Sequence, residues 1–217
     1  MAVPRPRDGF ISGFVGDVLA AVFPASCPCG ARGEPCCTRC RTELRVAPVA
    51  PPPPGIDWWV APFAYAGVAR ELVARAKYRN ARASFAWLGA SIVRHVPCER
   101  ALDVVTWIPA SRARQRTSGA DHGAALARVV AHHLQLPARA LLRRAPGPPQ
   151  TGAPRAERRR GPSLHAIASA DGLSVLVVDD VATTGASLAA AAIALRTAGA
   201  RAVAAATATR TPAPGQR

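Results

Sequence analysis

The sequence is nearly devoid of lysine: of its 28 basic residues, only Lys77 is not arginine. A nucleotide-binding P-loop is thereby excluded, because G-x-x-x-x-G-K-[ST] needs a lysine for the terminal phosphates and Lys77 stands in no such setting. Acidic residues also run out early, and neither Asp, Glu nor Lys follows Asp180. A receiver domain opens on an acidic pair but needs a phosphoacceptor aspartate and a lysine further along, so it is excluded as well. Aromatic residues amount to only 5%, which leaves Trp58, Trp59 and Tyr78 as rings that could stack on nucleic-acid bases. Long apolar runs are missing too. No stretch reaches the roughly 18 uncharged apolar residues that a membrane span requires, so the expectation is a cytoplasmic protein with no membrane insertion.

What is present is a globular composition, 49% hydrophobic and 19% charged over 217 residues, enough for one main domain and an appendage. The formal net charge is +15. Arginine forks pair with phosphates and carboxylates, so the excess points to anionic partners: nucleic acid, phosphorylated metabolites or an acidic protein. A genome rich in G and C, which favours Arg, Ala and Pro codons, would produce the same excess. Near the N-terminus Phe10, Ile11, Phe14, Val15, Val18, Leu19 and Val22 recur at helical spacing before Pro24. They predict an amphipathic helix, and Asp8 and Asp17 argue against a secretion signal there.

Five of the six cysteines crowd into "CPCGARGEPCCTRC", and Cys98 stands apart. Two short-spaced pairs around a glycine-containing loop suit a tetrahedral thiolate site, each pair forming a knuckle on one structural Zn2+. The expected ligands are Cys27, Cys29, Cys37 and Cys40, with Cys36 an alternative in the second half. Cys37 and Cys40 make a regular C-x-x-C, whereas a single residue separates Cys27 from Cys29. The competing reading is a set of free or redox-active thiols.

The run "APVAPPPPG" favours an extended spacer. It sets the expected division: helix and zinc-knuckle module over 1–46, proline-rich linker over 47–55, main domain over 56–210 and disordered tail over 211–217. In the main domain "WWVAPFAYAG" predicts a strand or hairpin. The stretch from Val68 to Val96 reads as helical, with Leu72, Val73, Ala76, Phe85, Leu88 and Ile92 facing inward. "ALDVVTWIPAS" predicts a buried strand ending at Pro109, "DHGAALARVVAHHLQ" a helix and "ARALLRR" a further strand. "APGPPQTGAPRAERRRGPS" has no apolar periodicity and predicts a long loop. "LSVLVVDD", "SLAAAAIALRTAG" and "RAVAAATAT" predict a strand, a helix closed by Gly199 and a last strand. This alternation implies an α/β fold: a mostly parallel sheet with helices on both faces and its ligand site at the carboxyl ends of the strands.

The stretch "VLVVDDVATTGAS", Val175 to Ser187, carries the chemistry. Its buried strand delivers Asp179 and Asp180 to the sheet's edge. Thr183, Thr184, Gly185, Ala186 and Ser187 then turn into a helix, where unpaired N–H groups, hydroxyls and the helix dipole converge on an anion-sized hollow. Gly185 permits close backbone approach. Carboxylates beside a phosphate cradle are placed to accept hydrogen bonds from sugar hydroxyls, so the implied ligand is a sugar phosphate. The bland alternative makes Asp179 a helix-start cap and the turn an ordinary one.

This stretch resembles the phosphoribosyl-pyrophosphate signature of type I phosphoribosyltransferases. The resemblance implies that fold, with Asp179 and Asp180 as catalytic residues on the ribose hydroxyls and with Thr183, Thr184, Gly185, Ala186 and Ser187 on the 5-phosphate. Other stretches resemble the ComF branch, competence-associated phosphoribosyltransferase-like proteins with an N-terminal cysteine module: "CPCG", "CTRC", "AKYRN", "WIPASRARQRTSGADHG" and "PPQTGAPRAERRRGP". The chain departs from that branch at Ala120, where an aromatic is usual, and at Gly161, where asparagine is usual.

Arg112, Arg114 and Arg116 follow a strand end within reach of the same ligand's pyrophosphate. Gln150, Arg155, Arg158 and Arg159 lie on a loop long enough to close over it. Each of these arginines reads equally as solvated surface charge. In transferases of this fold, departing pyrophosphate leaves an oxocarbenium-like ribose, and Mg2+ with basic side chains neutralises the leaving group. Two function classes follow. One is binding of phosphoribosyl pyrophosphate or a related sugar phosphate with Mg2+-dependent phosphoribosyl transfer. The other is a non-catalytic DNA-uptake accessory that binds single-stranded DNA and a helicase-like partner.

Overall fold

The computed structural model describes residues 25–78, 81–111, 121–145 and 162–212. The expected N-terminal helix, the arginine loop over 112–120, the long loop over 146–161 and most of the tail lie outside the described residues. In chain order the elements are α1 (Thr38–Thr42), β1 (Trp59–Val60), β2 (Phe63–Ala64), α2 (Gly67–Tyr78), α3 (Ala81–Val93) and β3 (Val104–Trp107). There follow α4 (His122–Leu134), β4 (Leu142–Arg144), β5 (Leu164–Ala166), β6 (Ser174–Ala182), α5 (Ala186–Thr197) and β7 (Ala202–Arg210).

β6 and β7 form the centre of a parallel sheet, with β3 beyond β6 and both β1 and β2 beyond β7. The pairings Trp59↔Ala205 and Phe63↔Thr209 share one register, so β1 and β2 are two pieces of a single edge strand. Of the strand and the hairpin that "WWVAPFAYAG" allowed, the strand is the one formed. Between the pieces stands Pro62, which has no N–H for the ladder. Residues 45–47 shield this edge: Ala64 N donates to Arg45 O and Ala47 N donates to Pro62 O. "ARALLRR" begins at the edge of the main sheet, where Ala138 bridges Val105 of β3 in parallel, and then supplies β4, which pairs antiparallel with β5.

The two sheet faces follow from period-2 alternation in β6 and β7. Val175, Val177, Val203 and Ala205 turn to one face with Leu188, Ala191 and Leu195 of α5 and with Leu142 of β4. Leu176, Val178, Ala204 and Ala206 turn to the other, against Val73 and Ala76 of α2, Phe85, Leu88 and Ile92 of α3, and Leu126 and Val130 of α4. Burying each large aliphatic here contributes roughly 1.5–3 kcal/mol. All six residues expected to face inward between Val68 and Val96 are buried. Leu72 turns away from the sheet: it packs among Cys27, Cys36 and Cys40, joining the cysteine module to α2. Arg75 adds hydrogen bonds to Ser26 Oγ and Pro28 O.

α5 ends as expected: Gly199, at φ +94°, lets Ala200 N reach back to Leu195 O. Among the described residues, no helix is long and apolar enough to cross a membrane.

Candidate sugar-phosphate site and cysteine cluster

β6 reaches the carboxyl edge of the sheet still in register with β7, as far as Ala182↔Arg210. The aspartates are thus part of the strand, and Asp180 turns to the face of Leu176 and Val178, where α2 lies and Lys77 meets it. Asp179 Oδ1 accepts a hydrogen bond from Asp180 N at 2.9 Å. Asp180 is held from two sides, its carbonyl accepting from Thr209 Oγ1 at 3.1 Å and its Oδ2 lying 2.6 Å from Lys77 Nζ. Lys77 stands in the last turn of α2. The sequence pattern "AKYRN" by itself assigns Lys77 no role in the site; its standing as the sole lysine is the signal that marks it.

Beyond Ala182 the chain turns through exposed Thr183 and Thr184 to Gly185, which is buried and caps α5 at φ +76°. Only glycine adopts that conformation without steric cost. The first-turn amides of α5 have no intrahelical acceptors. Ala186 N donates instead to Thr184 Oγ1 at 3.3 Å, and no acidic side chain occupies this turn. The structure thus brings Thr183, Thr184, Gly185, Ala186 and Ser187 together at a helix N-terminus that favours an anion. Pro53 from the proline-rich run packs directly on Gly185.

Arg112, Arg114, Arg116, Gln150, Arg155, Arg158 and Arg159 lie outside the described residues. Where the chain re-enters at α4, Asp121 accepts from Ala124 N at 3.2 Å and from Trp107 Nε1 at 3.1 Å. This cap ties the return of the arginine loop to the end of β3. Trp58 and Trp59 are half-buried against the two core faces. Trp59 Nε1 donates to Thr207 Oγ1 at 3.2 Å, and the Arg210 guanidinium lies 5.3 Å from its ring centre. Trp59 is thereby held within the fold. Arg210 is only 6% exposed, and burial pushes its guanidinium below the usual arginine range.

The four sulfurs of Cys27, Cys29, Cys37 and Cys40 lie within 4.8 Å of one another. Tetrahedral Zn2+ with Zn–S bonds of about 2.3 Å places sulfurs about 3.8 Å apart, so the thiols present fit such an ion. Gly30 and Gly33, both at positive φ, turn the chain between the pairs despite the short first spacing. The Ala31 backbone, followed by the neighbouring thiols, holds Cys29 down to about 6. Burial pushes the Cys40 thiol up, and it pushes Cys36 up to about 11. Cys36 is fully buried beside Leu72 and is not one of the four.

The phosphoribosyl transferase domain family matches residues 120–216. Together with the sheet order this defines the class: an α/β fold of the phosphoribosyltransferase type, carrying an N-terminal cysteine cluster able to hold a zinc ion. Among solved structures, the glutamine phosphoribosylpyrophosphate amidotransferase from B. subtilis shares 20% identity at a TM-score of 0.46, over 64% of this chain and only 30% of that one. A purine phosphoribosyltransferase from Pyrococcus horikoshii shares 16% identity at a TM-score of 0.37, over 72% of this chain and 89% of that one. Comparison with curated protein sequences gives no match.

Proposed function

We propose that this protein binds phosphoribosyl pyrophosphate, or a related sugar phosphate, at the carboxyl end of β6. The observation that carries the reading is the continuity of β6 through Asp179 and Asp180 into the Gly185 turn and the N-terminus of α5. In this reading Thr183 to Ser187 hold the 5-phosphate on backbone amides and hydroxyls. Asp179 and Asp180 accept hydrogen bonds from the ribose hydroxyls. Mg2+, when bound with the diphosphate, would neutralise a leaving group. Arg112, Arg114 and Arg116 would add positive charge there, while Gln150, Arg155, Arg158 and Arg159 would close over it and exclude water. Phosphoribosyl transfer is the activity this arrangement suits.

The cysteine cluster ahead of a phosphoribosyltransferase-type domain supports a ComF-like assignment, with Zn2+ as a structural ion that ties Cys27, Cys29, Cys37 and Cys40 together. A role in DNA uptake, with single-stranded DNA and a helicase-like partner, draws on the net charge of +15. The packing of Trp59 takes one of its three stacking rings into the fold, and the sugar-phosphate reading is the conclusion. Calorimetric titration with phosphoribosyl pyrophosphate and Mg2+, set against titration with a single-stranded oligonucleotide, tests it. Heat of binding only with the oligonucleotide would reverse the order of the two.

A further inference from the structure

We propose that Lys77 is a ligand-binding residue of this site, sharing its ammonium between Asp180 and the diphosphate of the bound sugar phosphate; the proposal rests on the reading above. The Lys77–Asp180 pair is mostly buried, its side chains 18% and 13% exposed. Taking two charges out of water offsets most of what their attraction returns, and an apolar pair would serve the fold as well. The pair also sits at the sheet's carboxyl edge, beside a turn built to receive an anion. Lys77 therefore neutralises a carboxylate that would otherwise repel the ligand.

The choice of lysine is the second observation. Every other basic residue in the chain is arginine. An arginine fork here would engage both oxygens of Asp180 and close it to a ribose hydroxyl. An ammonium has three donors on one point. With one on Oδ2 at 2.6 Å, the second carboxylate oxygen stays available to the ribose, and two donors stay available to ligand oxygens.

The sheet faces decide which ligand group Lys77 meets. The 5-phosphate cradle belongs to α5, on the face of Val175 and Val177. Lys77 approaches on the opposite face, through α2 and Asp180. It therefore meets the far end of the ribose, where phosphoribosyl pyrophosphate carries its diphosphate and ribose 5-phosphate has none.

The single lysine makes the test direct. Full-length protein made with lysine labelled at Cε with carbon-13 gives one lysine Cε cross-peak. Saturating phosphoribosyl pyrophosphate with Mg2+ is expected to move that peak, and saturating ribose 5-phosphate to leave it nearly in place. Lys77→Met is expected to weaken phosphoribosyl pyrophosphate about tenfold or more, the loss of one charge-assisted hydrogen bond, with much less effect on ribose 5-phosphate. Lys77→Arg is expected to lose a similar factor although it keeps the charge. A peak unmoved by phosphoribosyl pyrophosphate that calorimetry shows to be bound overturns the role of Lys77 alone, and so does wild-type affinity in Lys77→Arg. Binding of neither ligand by wild-type protein overturns the sugar-phosphate reading itself. The peak is read on unmutated protein, so poor folding of a variant leaves the test intact.

Discussion

Pro53 sits on Gly185: a Cβ built at Gly185 would lie 2.8 Å from Pro53 Cγ and 3.1 Å from Pro53 Cβ. The proline-rich run thus covers the turn at the start of α5, although the two residues lie in distant parts of the sequence. Gly185→Ala is expected to destabilise the fold by about 1–3 kcal/mol, through left-handed backbone strain and through this contact. In a urea-unfolding cycle, Pro53→Gly should return the contact part of that loss and leave the backbone part. Strict additivity of the two changes would show that the residues do not act on one another.

Asp180→Asn keeps the shape of the side chain and removes its charge, leaving Lys77 without a carboxylate. Affinity for phosphoribosyl pyrophosphate is expected to fall about ten- to a hundredfold, as a charge-assisted hydrogen bond of roughly 1.5–3 kcal/mol weakens. Thr184→Val removes the hydroxyl that accepts from Ala186 N and should weaken every ligand bearing the 5-phosphate, ribose 5-phosphate included. Circular dichroism establishes folding before each calorimetric titration. Unchanged affinity in both folded variants would return the turn to an ordinary helix start.

The cysteine cluster is expected to carry about one zinc ion per chain. Cys37→Ser and Cys40→Ser should abolish it, and Cys36→Ser should leave the stoichiometry unchanged, as read by elemental analysis under reducing conditions. In metal-stripped protein the lowered Cys29 thiol is a thiolate in neutral solution and takes up its proton as the pH falls through about 6. Equal alkylation rates of Cys29 at pH 5 and pH 8 would contradict this. In metal-stripped protein at neutral pH, alkylation should reach Cys29 before Cys40, whose burial pushes its thiol up.

Gly89 is where α3 meets α4: a Cβ there would come within 3.1 Å of Val129 Cβ and 3.7 Å of Val130 N. Gly89→Ala gains about 1 kcal/mol of helix propensity, but overpacking two rigid helices costs about 1–3 kcal/mol. The expected sum is a net loss of up to about 2 kcal/mol in chemical denaturation. Adding Val129→Ala should make the alanine neutral or favourable. If Gly89→Ala alone raises stability, the helices are not in close contact at this point.

Much of the architecture was legible because it is written in local period. The β-branched run before Asp179 specified a buried strand, and the 3.6-residue spacing of Val73, Ala76, Phe85, Leu88 and Ile92 specified the inner faces of α2 and α3. Gly185 and Gly199 marked the two ends of α5 through backbone conformations that side chains resist. The cysteines were legible for the same reason, since thiols spaced this closely need only one reversing loop to converge.

What local pattern could not determine was decided by how the elements cross. The parallel setting of β1 and β2 depends on β7, which arrives much later in the chain, and "WWVAPFAYAG" alone is equally a hairpin. "ARALLRR" meets the parallel sheet at Ala138 and gives β4 to an antiparallel partner, β5, that lies beyond the long loop. Lys77 reaches Asp180, and Pro53 reaches Gly185, only because α2 crosses the sheet near its carboxyl edge and the proline-rich run returns over the start of α5. Hydrophobic period states which side of an element is buried. It carries no information about the angle at which that side meets its partner, and that angle sets which charge meets which carboxylate.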